Sequence, residues 1–172
     1  INSMSGSLYS DLLYYSSRGP RPDGLIKPNI VAPGVTWSTN PTWTGVPYIN
    51  CEGSSVAAPF IAGSCALLLD GAKKLGVTIT PQKMIYALEQ SSKPVSGYTV
   101  AEQGHGAPDI AKAFQILVRT PTIPPVSAVV KNEDGDSAGL FLKQTVPGQI
   151  PVRVTNSGNT DLAFELKPTD GW

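Results

Sequence analysis

The stretch Gly53-Ser54-Ser55-Val56-Ala57-Ala58-Pro59 puts a glycine and two small hydroxyl residues directly before an apolar run. That order places Ser55 in the first turn of a helix, where unpaired backbone N–H groups and the positive end of the dipole collect. A serine there can act as a nucleophile, because the tetrahedral oxyanion it creates lies beside its own N–H. Preorganised donors of this kind are worth roughly 2.7–4 kcal/mol each. On these residues alone the commoner reading is an ordinary cap, with Ser54 or Ser55 only closing the helix N-terminus.

Other chemistry is thin. The single histidine, His105, stands between Gly104 and Gly106 with Asp109 close behind. Triads are recognised by geometry, so the order Ser, His, Asp is open in principle, but a lone histidine in a Gly-x-Gly turn more often faces solvent. Glu133-Asp134-Gly135-Asp136 lacks the spacing and the final bidentate acid of a calcium loop and reads as a hairpin turn. No His/Cys cluster has zinc spacing, and no metal or cofactor is expected. Trp37, Trp43 and Tyr48 either wall a substrate groove beside Ser55 or pin a long loop to its own domain.

The 172 residues are 41% apolar, enough for one domain or one domain and part of another, and the formal net charge is zero. With no basic stripe or block, neither nucleic acid nor an anionic membrane surface is an expected partner. No uninterrupted apolar run approaches the length that spans a bilayer. No leader pattern opens the chain, so Ile1 reads as an internal cut. Cys51 and Cys65 flank the helix start at a separation of roughly 15 Å, taking 1.5 Å per helical residue. That is beyond disulfide reach, and both are expected as unpaired, buried thiols.

The elements that must position Ser55 follow from pattern. Ser3 to Asp11 is polar and reads as a loop, and Pro22-Asp23-Gly24 as a turn. Ile30 to Ala32 is a short strand bracketed by prolines, and Val35 to Cys51 a loop. The helix after Ser55 is apolar all round, which belongs in the middle of a core, with Pro59 near its first turn and Gly63 marking a close neighbouring strand. Burying Phe60, Ile61, Leu67, Leu68 and Leu69 would contribute on the order of 10 kcal/mol. Two short strands cannot cover such a helix, so the rest of the sheet is expected upstream of Ile1 or in another chain. Thr80-Pro81 starts a second helix with Met84, Ile85 and Leu88 on one face. Pro108-Asp109 opens a third, with Ile110, Ala113, Phe114 and Leu117. After the stiff stretch Thr120 to Pro125 the period changes to two. Leu140 to Lys143, Ile150 to Thr155 and Leu162 to Leu166 read as strands, with a turn at Asn156 to Asn159.

Gly53-Ser54-Ser55-Val56-Ala57-Ala58-Pro59, continued by Phe60-Ile61-Ala62-Gly63, resembles the nucleophile signature of subtilisin-like serine proteases. Ser54, Val56 and Phe60 depart from the residues most usual there, while Ser55, Pro59 and Gly63 fall on key positions. Three more stretches follow the family's order: Tyr15-Ser16-Ser17-Arg18-Gly19-Pro20, Lys27-Pro28-Asn29-Ile30-Val31-Ala32-Pro33-Gly34, and Gly104-His105-Gly106. Gln103-Gly104-His105-Gly106 and the tail Gly139 to Lys143 are also similar to the tripeptidyl-peptidase II and pyrolysin-like branch.

The resemblance implies an α/β fold: the C-terminal part of a mostly parallel sheet with helices on both faces (residues 1–118), a Pro-rich linker (119–125) and the start of a β-sandwich (126–172). It implies acyl transfer from Ser55, with the triad aspartate and histidine and a side-chain oxyanion donor all upstream of this chain. His105 then belongs to a Gly-x-Gly strand and not to a triad. The partners implied are a peptide substrate and the upstream part of the same protease domain, and the chain alone is expected to be inert. The family habit points outside the cell, with a cytosolic setting if the tripeptidyl-peptidase II likeness governs. A non-catalytic subtilase-like module for binding or assembly is the alternative.

Overall fold

The computed structural model describes residues 11–120, 126–132, 135–137, 148–157, 161–163 and 165. Two strands, β1 (Val35–Thr39) and β2 (Tyr48–Glu52), precede the long helix α1 (Ser54–Lys74). Helices α2 (Pro81–Ser91), α3 (Val100–Gln103) and α4 (Ile110–Arg119) follow, then strands β3 (Val126–Asn132), β4 (Gly135–Ser137) and β5 (Val152–Asn156). Helices and strands are mixed as expected, but the sheets among the described residues are both antiparallel: a β1–β2 ribbon and a three-stranded sheet in the order β4-β3-β5. The expected parallel sheet and β-sandwich are not seen among them. Ile30 to Ala32 forms no ladder, although Val31 and Ala32 are buried.

The region from Val35 to Cys51, expected as a loop, is instead a hairpin. Val, Thr, Trp, Tyr and Ile favour extended backbone, and a short 3₁₀ turn at Thr42–Thr44, closed by Gly45 at φ 71°, reverses the chain.

A small core forms where α1, α2 and α4 meet. Leu68, Met84, Ala87, Leu88, Ala113 and Leu117 are buried there, with Ile110 and Phe114 packed against them. Ile85, expected on the buried face of α2, is 52% exposed, and Ala87 takes its place. Gly71 lets α1 cross α4 closely, since a Cβ there would meet the Phe114 ring at 2.7 Å. Thr80 and Asp109 cap α2 and α4, their side chains accepting from the amides of Lys83 and Lys112.

The expected burial of α1 is not found. Only Leu68 and Ala72 are buried, while Phe60 (43%), Leu67 (65%) and Leu69 (47%) are exposed, because nothing among the described residues covers that face. No described atom lies within 4 Å of a Cβ added at Gly63, so the expected close strand is not there. Part of the ~10 kcal/mol available from this helix, on the order of a third, therefore remains to be gained against another surface. The 21-residue α1, which holds an 18-residue window of mean hydropathy 1.5, also has the length and composition to cross a membrane, although no single apolar run in it is long.

A second cluster, Leu12, Val31, Val95 and Ala107, holds the segments around the glycines. Gly104 and Gly106 have φ of 62° and 93°, and added Cβ atoms would lie 2.2 Å from the carbonyl oxygens of Pro28, Asn29 and Lys93. Only glycine tolerates both the conformation and the approach. The His105 amide donates to Asn29 O at 2.8 Å, and the Val31 amide to Gly106 O at 3.0 Å. Behind them the Gln103 side chain, 2% exposed, accepts from the Val95 amide at 2.6 Å and donates to the carbonyls of Val95 (3.0 Å) and Tyr98 (2.7 Å). Gln103→Ala strips those buried groups of their partners, and the expected loss is on the order of 2–4 kcal/mol. The check is the denaturant midpoint of the intact protein at unchanged slope.

Two carboxylates fasten the same region. Glu102 closes a capping box with the amide and hydroxyl of Thr99, reciprocally held, and bridges to Arg18 at 2.6 Å. The Thr99 groups, then Arg18, lower its pKa from the usual 4.5. The Lys112 amide first, then Lys93 at 3.0 Å, lowers that of Asp109 from 3.8. Both folded values are depressed, so this stabilisation is complete above the unfolded values and is lost as pH falls through the lower folded ones. Asp109→Asn keeps a competent cap. Melting temperature measured against pH should change little near pH 7 in that variant, and should fall less steeply than the wild type below about pH 4.

Strand β5 overlaps the expected strand at Ile150 to Thr155, starting two residues later, and pairs with β3, which sequence reading missed. Asn132 faces Gly135 across the β3–β4 pair. The expectations for Ser3 to Ser10, Pro121 to Pro125, Glu133-Asp134, Leu140 to Lys143 and Gly158-Asn159 lie outside the described residues, as do Phe164 and Leu166 of the strand expected at Leu162 to Leu166.

Candidate active site

Gly53 precedes α1 with φ 128° and ψ 177°, and its amide donates to Gly34 O at 2.8 Å. The turn before Ser55 is thereby tied to the segment that the two glycines at 104 and 106 hold in place. An added Cβ at Gly53 would lie 3.5 Å from Ser55 Oγ, and one at Gly34 3.3 Å from Gly53 O. Gly34 thus permits a tight approach to Gly53, and Gly53 is held to glycine by its φ rather than by crowding.

Ser55 is the second residue of α1 and is exposed. The amides of Val56 and Ala57 both turn back to Gly53 O, at 3.0 and 3.2 Å. No bond from the Ser55 amide is formed among the described residues, and neither serine caps the helix through its side chain. The ordinary-cap reading therefore does not hold. Pro59 is the sixth helical residue, past the first turn, and its missing N–H leaves the Ser55 carbonyl without its usual donor.

Ser55 lines a cavity of about 450 Å³ together with Ser54, Gly53, Ser17, Tyr15 and Ile61. Its wall holds hydroxyls, backbone and apolar side chains, with no histidine or carboxylate among the described residues. The site can receive a negative charge at a helix start, but nothing in this wall can take the proton of Ser55.

His105 lies elsewhere. Its side chain is 49% exposed, with Nε2 3.9 Å from Glu89, whose carboxylate accepts from Asn29 at 2.7 Å. Asp109 is engaged in its helix cap and with Lys93. The structure does not bring Ser55, His105 and Asp109 together as a triad around the cavity. Both cysteines are free and half-buried, and burial pushes the Cys65 thiol up. No cluster of metal-ligating side chains occurs among the described residues.

Trp37, Trp43 and Tyr48 are 65%, 85% and 60% exposed, so among the described residues they do not pin the hairpin to the rest of the domain. Sequence reading missed Glu52, the last residue of β2. Its carboxylate lies close enough to Tyr15 to push that hydroxyl up in pKa, second to burial. The signal available was its position directly before Gly53.

The sequence model of the subtilase family, peptidase S8, matches residues 3–107. Pyrolysin from Pyrococcus furiosus is 33% identical over 181 residues, covering 94% of this chain and 13% of that protein. Tripeptidyl-peptidase 2 from Arabidopsis thaliana is 34% identical over 76% of this chain and 10% of its own length. The human membrane-bound transcription factor site-1 protease is 35% identical over 60% of the chain and 10% of its own. The chain thus spans about a tenth of each of these relatives. With a match over residues 3–107 and the ordered motifs around Ser55, the chain belongs to the subtilase family.

Proposed function

We propose that this chain carries the nucleophile of a serine peptidase, with Ser55 attacking the carbonyl carbon of a peptide bond. The observation that carries this reading is the exposed Ser55 on the cavity wall, second in α1, with its own amide uncommitted among the described residues. In the reaction, Oγ bonds to the carbonyl carbon and its proton passes to a histidine outside this chain. The Ser55 N–H helps to hold the oxyanion until the amine leaves with that proton; water then hydrolyses the acyl-enzyme. The triad aspartate and a side-chain oxyanion donor are likewise assigned to an upstream part of the same protease domain, in the same or another chain. That part would cover the open face of α1, and this chain alone would be inert. The relatives' names, pyrolysin and tripeptidyl-peptidase 2, support a peptidase and leave endopeptidase and tripeptidyl-peptidase action both open; an extracellular setting belongs to the same proposal, with a cytosolic one if the tripeptidyl-peptidase II likeness governs.

A fluorophosphonate probe on the intact protein tests the reading: Ser55 should be labelled in the native state and not after denaturation. Absence of native labelling, with peptide mapping confirming that Ser55 is present and unmodified, would leave the non-catalytic module. The departures at Ser54, Val56 and Phe60 favour that second reading.

A further inference from the structure

The β1–β2 register sets Val35 against Glu52, Trp37 against Asn50 and Thr39 against Tyr48. Directly opposed residues share a face of the ribbon, and diagonal neighbours are about 7–8 Å apart, within reach of an aromatic side chain. Glu52 and Trp37 are such a diagonal pair. Tyr15 joins them from the adjoining segment, near enough to the Glu52 carboxylate that its pKa is pushed up by it, second to burial, and Tyr14 packs edge-on against Tyr15 with ring centroids 4.9 Å apart. Glu52 is exposed, and no cation among the described residues lies within ion-pair distance of it. Trp37 (65%) and Tyr15 (41%) are open to solvent on either side.

An unpaired carboxylate between exposed aromatic rings is complementary to an ammonium or guanidinium group, which gains from the carboxylate and the ring faces together. Glu52 is three residues from Ser55, at most about 10 Å of chain.

We propose that Glu52, Tyr15 and Trp37 form a subsite that selects a lysine or arginine side chain of the peptide substrate, within about three residues of the bond attacked by Ser55. The subsite rests on the peptidase reading and adds to it the charge of the preferred substrate.

The test is kcat/KM of the intact protein on a peptide series with Lys, Ala or Glu at each of the three positions on either side of the scissile bond. At one position Lys should exceed Ala by roughly three- to tenfold, since exposed ion pairs and cation–ring contacts are each modest. Raising the ionic strength should erode the ratio. Glu52→Gln should bring it to about one, Glu52→Asp should retain part of it, and Glu52→Lys should favour Glu instead. Equal preference in wild type and Glu52→Gln, or no preference in a wild type that is labelled at Ser55, overturns the subsite and leaves the peptidase reading standing. A wild type that is not labelled at Ser55 overturns both.

Discussion

Ser55→Ala in the intact protein should lower peptide hydrolysis by roughly 10⁴- to 10⁶-fold and abolish fluorophosphonate labelling, while the melting temperature stays near that of the wild type. The size follows from removing the group that forms the covalent bond; members of such a unit act together, so loss of the nucleophile costs nearly the whole covalent route. Stability should hold because Ser55 is exposed and makes no helix cap, so its hydroxyl supports no packing. Kinetics on a fluorogenic peptide, paired with a thermal melt, separate the two effects. A variant with hydrolysis within tenfold of wild type would remove Ser55 from the mechanism, and Ser54, Ser16 and Ser17 on the same cavity would be the next hydroxyls to examine.

Gly104→Ala should be among the most damaging single methyl additions at the described glycines. At φ 62° an L-residue is strained, and the new Cβ would sit 2.2 Å from two carbonyl oxygens, both backbone atoms that cannot rotate away. Strain of this kind costs about 1–3 kcal/mol before the clash is relieved, so a total of about 3 kcal/mol or more is expected. The effect reaches the site through a chain of backbone bonds. Moving Asn29 away loosens the His105 and Val31 pairings; Val31 leads to Gly34, and Gly34 O holds the Gly53 amide at the turn before Ser55. Unfolding free energy and the rate of Ser55 labelling should therefore fall together. Gly45 makes the useful comparison, since it also has positive φ but open space around it, so Gly45→Ala should show strain without the loss of labelling. If Gly104→Ala matches wild type in both measurements, the two-glycine clamp does not position the nucleophile.

Much of this was legible in local pattern. Thr80-Pro81 and Asp109 marked helix starts because capping is a contact between residues three apart, and both caps are formed. The two cysteines were legible as unpaired for an equally local reason, the rise of a helix. Ser55 at a helix start was legible because glycine followed by small hydroxyl residues ends extended chain and begins a helix within a few positions.

Burial was less legible, because it depends on what lies across from a face. The all-round apolar α1 has the composition of a central core helix, yet among the described residues Phe60, Leu67 and Leu69 face no partner. Ile85 and Ala87 exchanged roles for the same reason: helical periodicity marks a broad stripe, and the position of α4 decides which edge of it is covered.

From residues alone the chain determined its family motifs, its helix starts and the serine that could act. Those follow from interactions among neighbours in sequence. The tertiary structure alone decided that Val35–Glu52 is a hairpin and not a loop, that His105 is not on the wall of the Ser55 cavity, and that Glu52 lies near Tyr15. The hairpin depends on which nearby extended stretches pair, and the other two depend on segments far apart in sequence being brought together by packing, which no local pattern encodes.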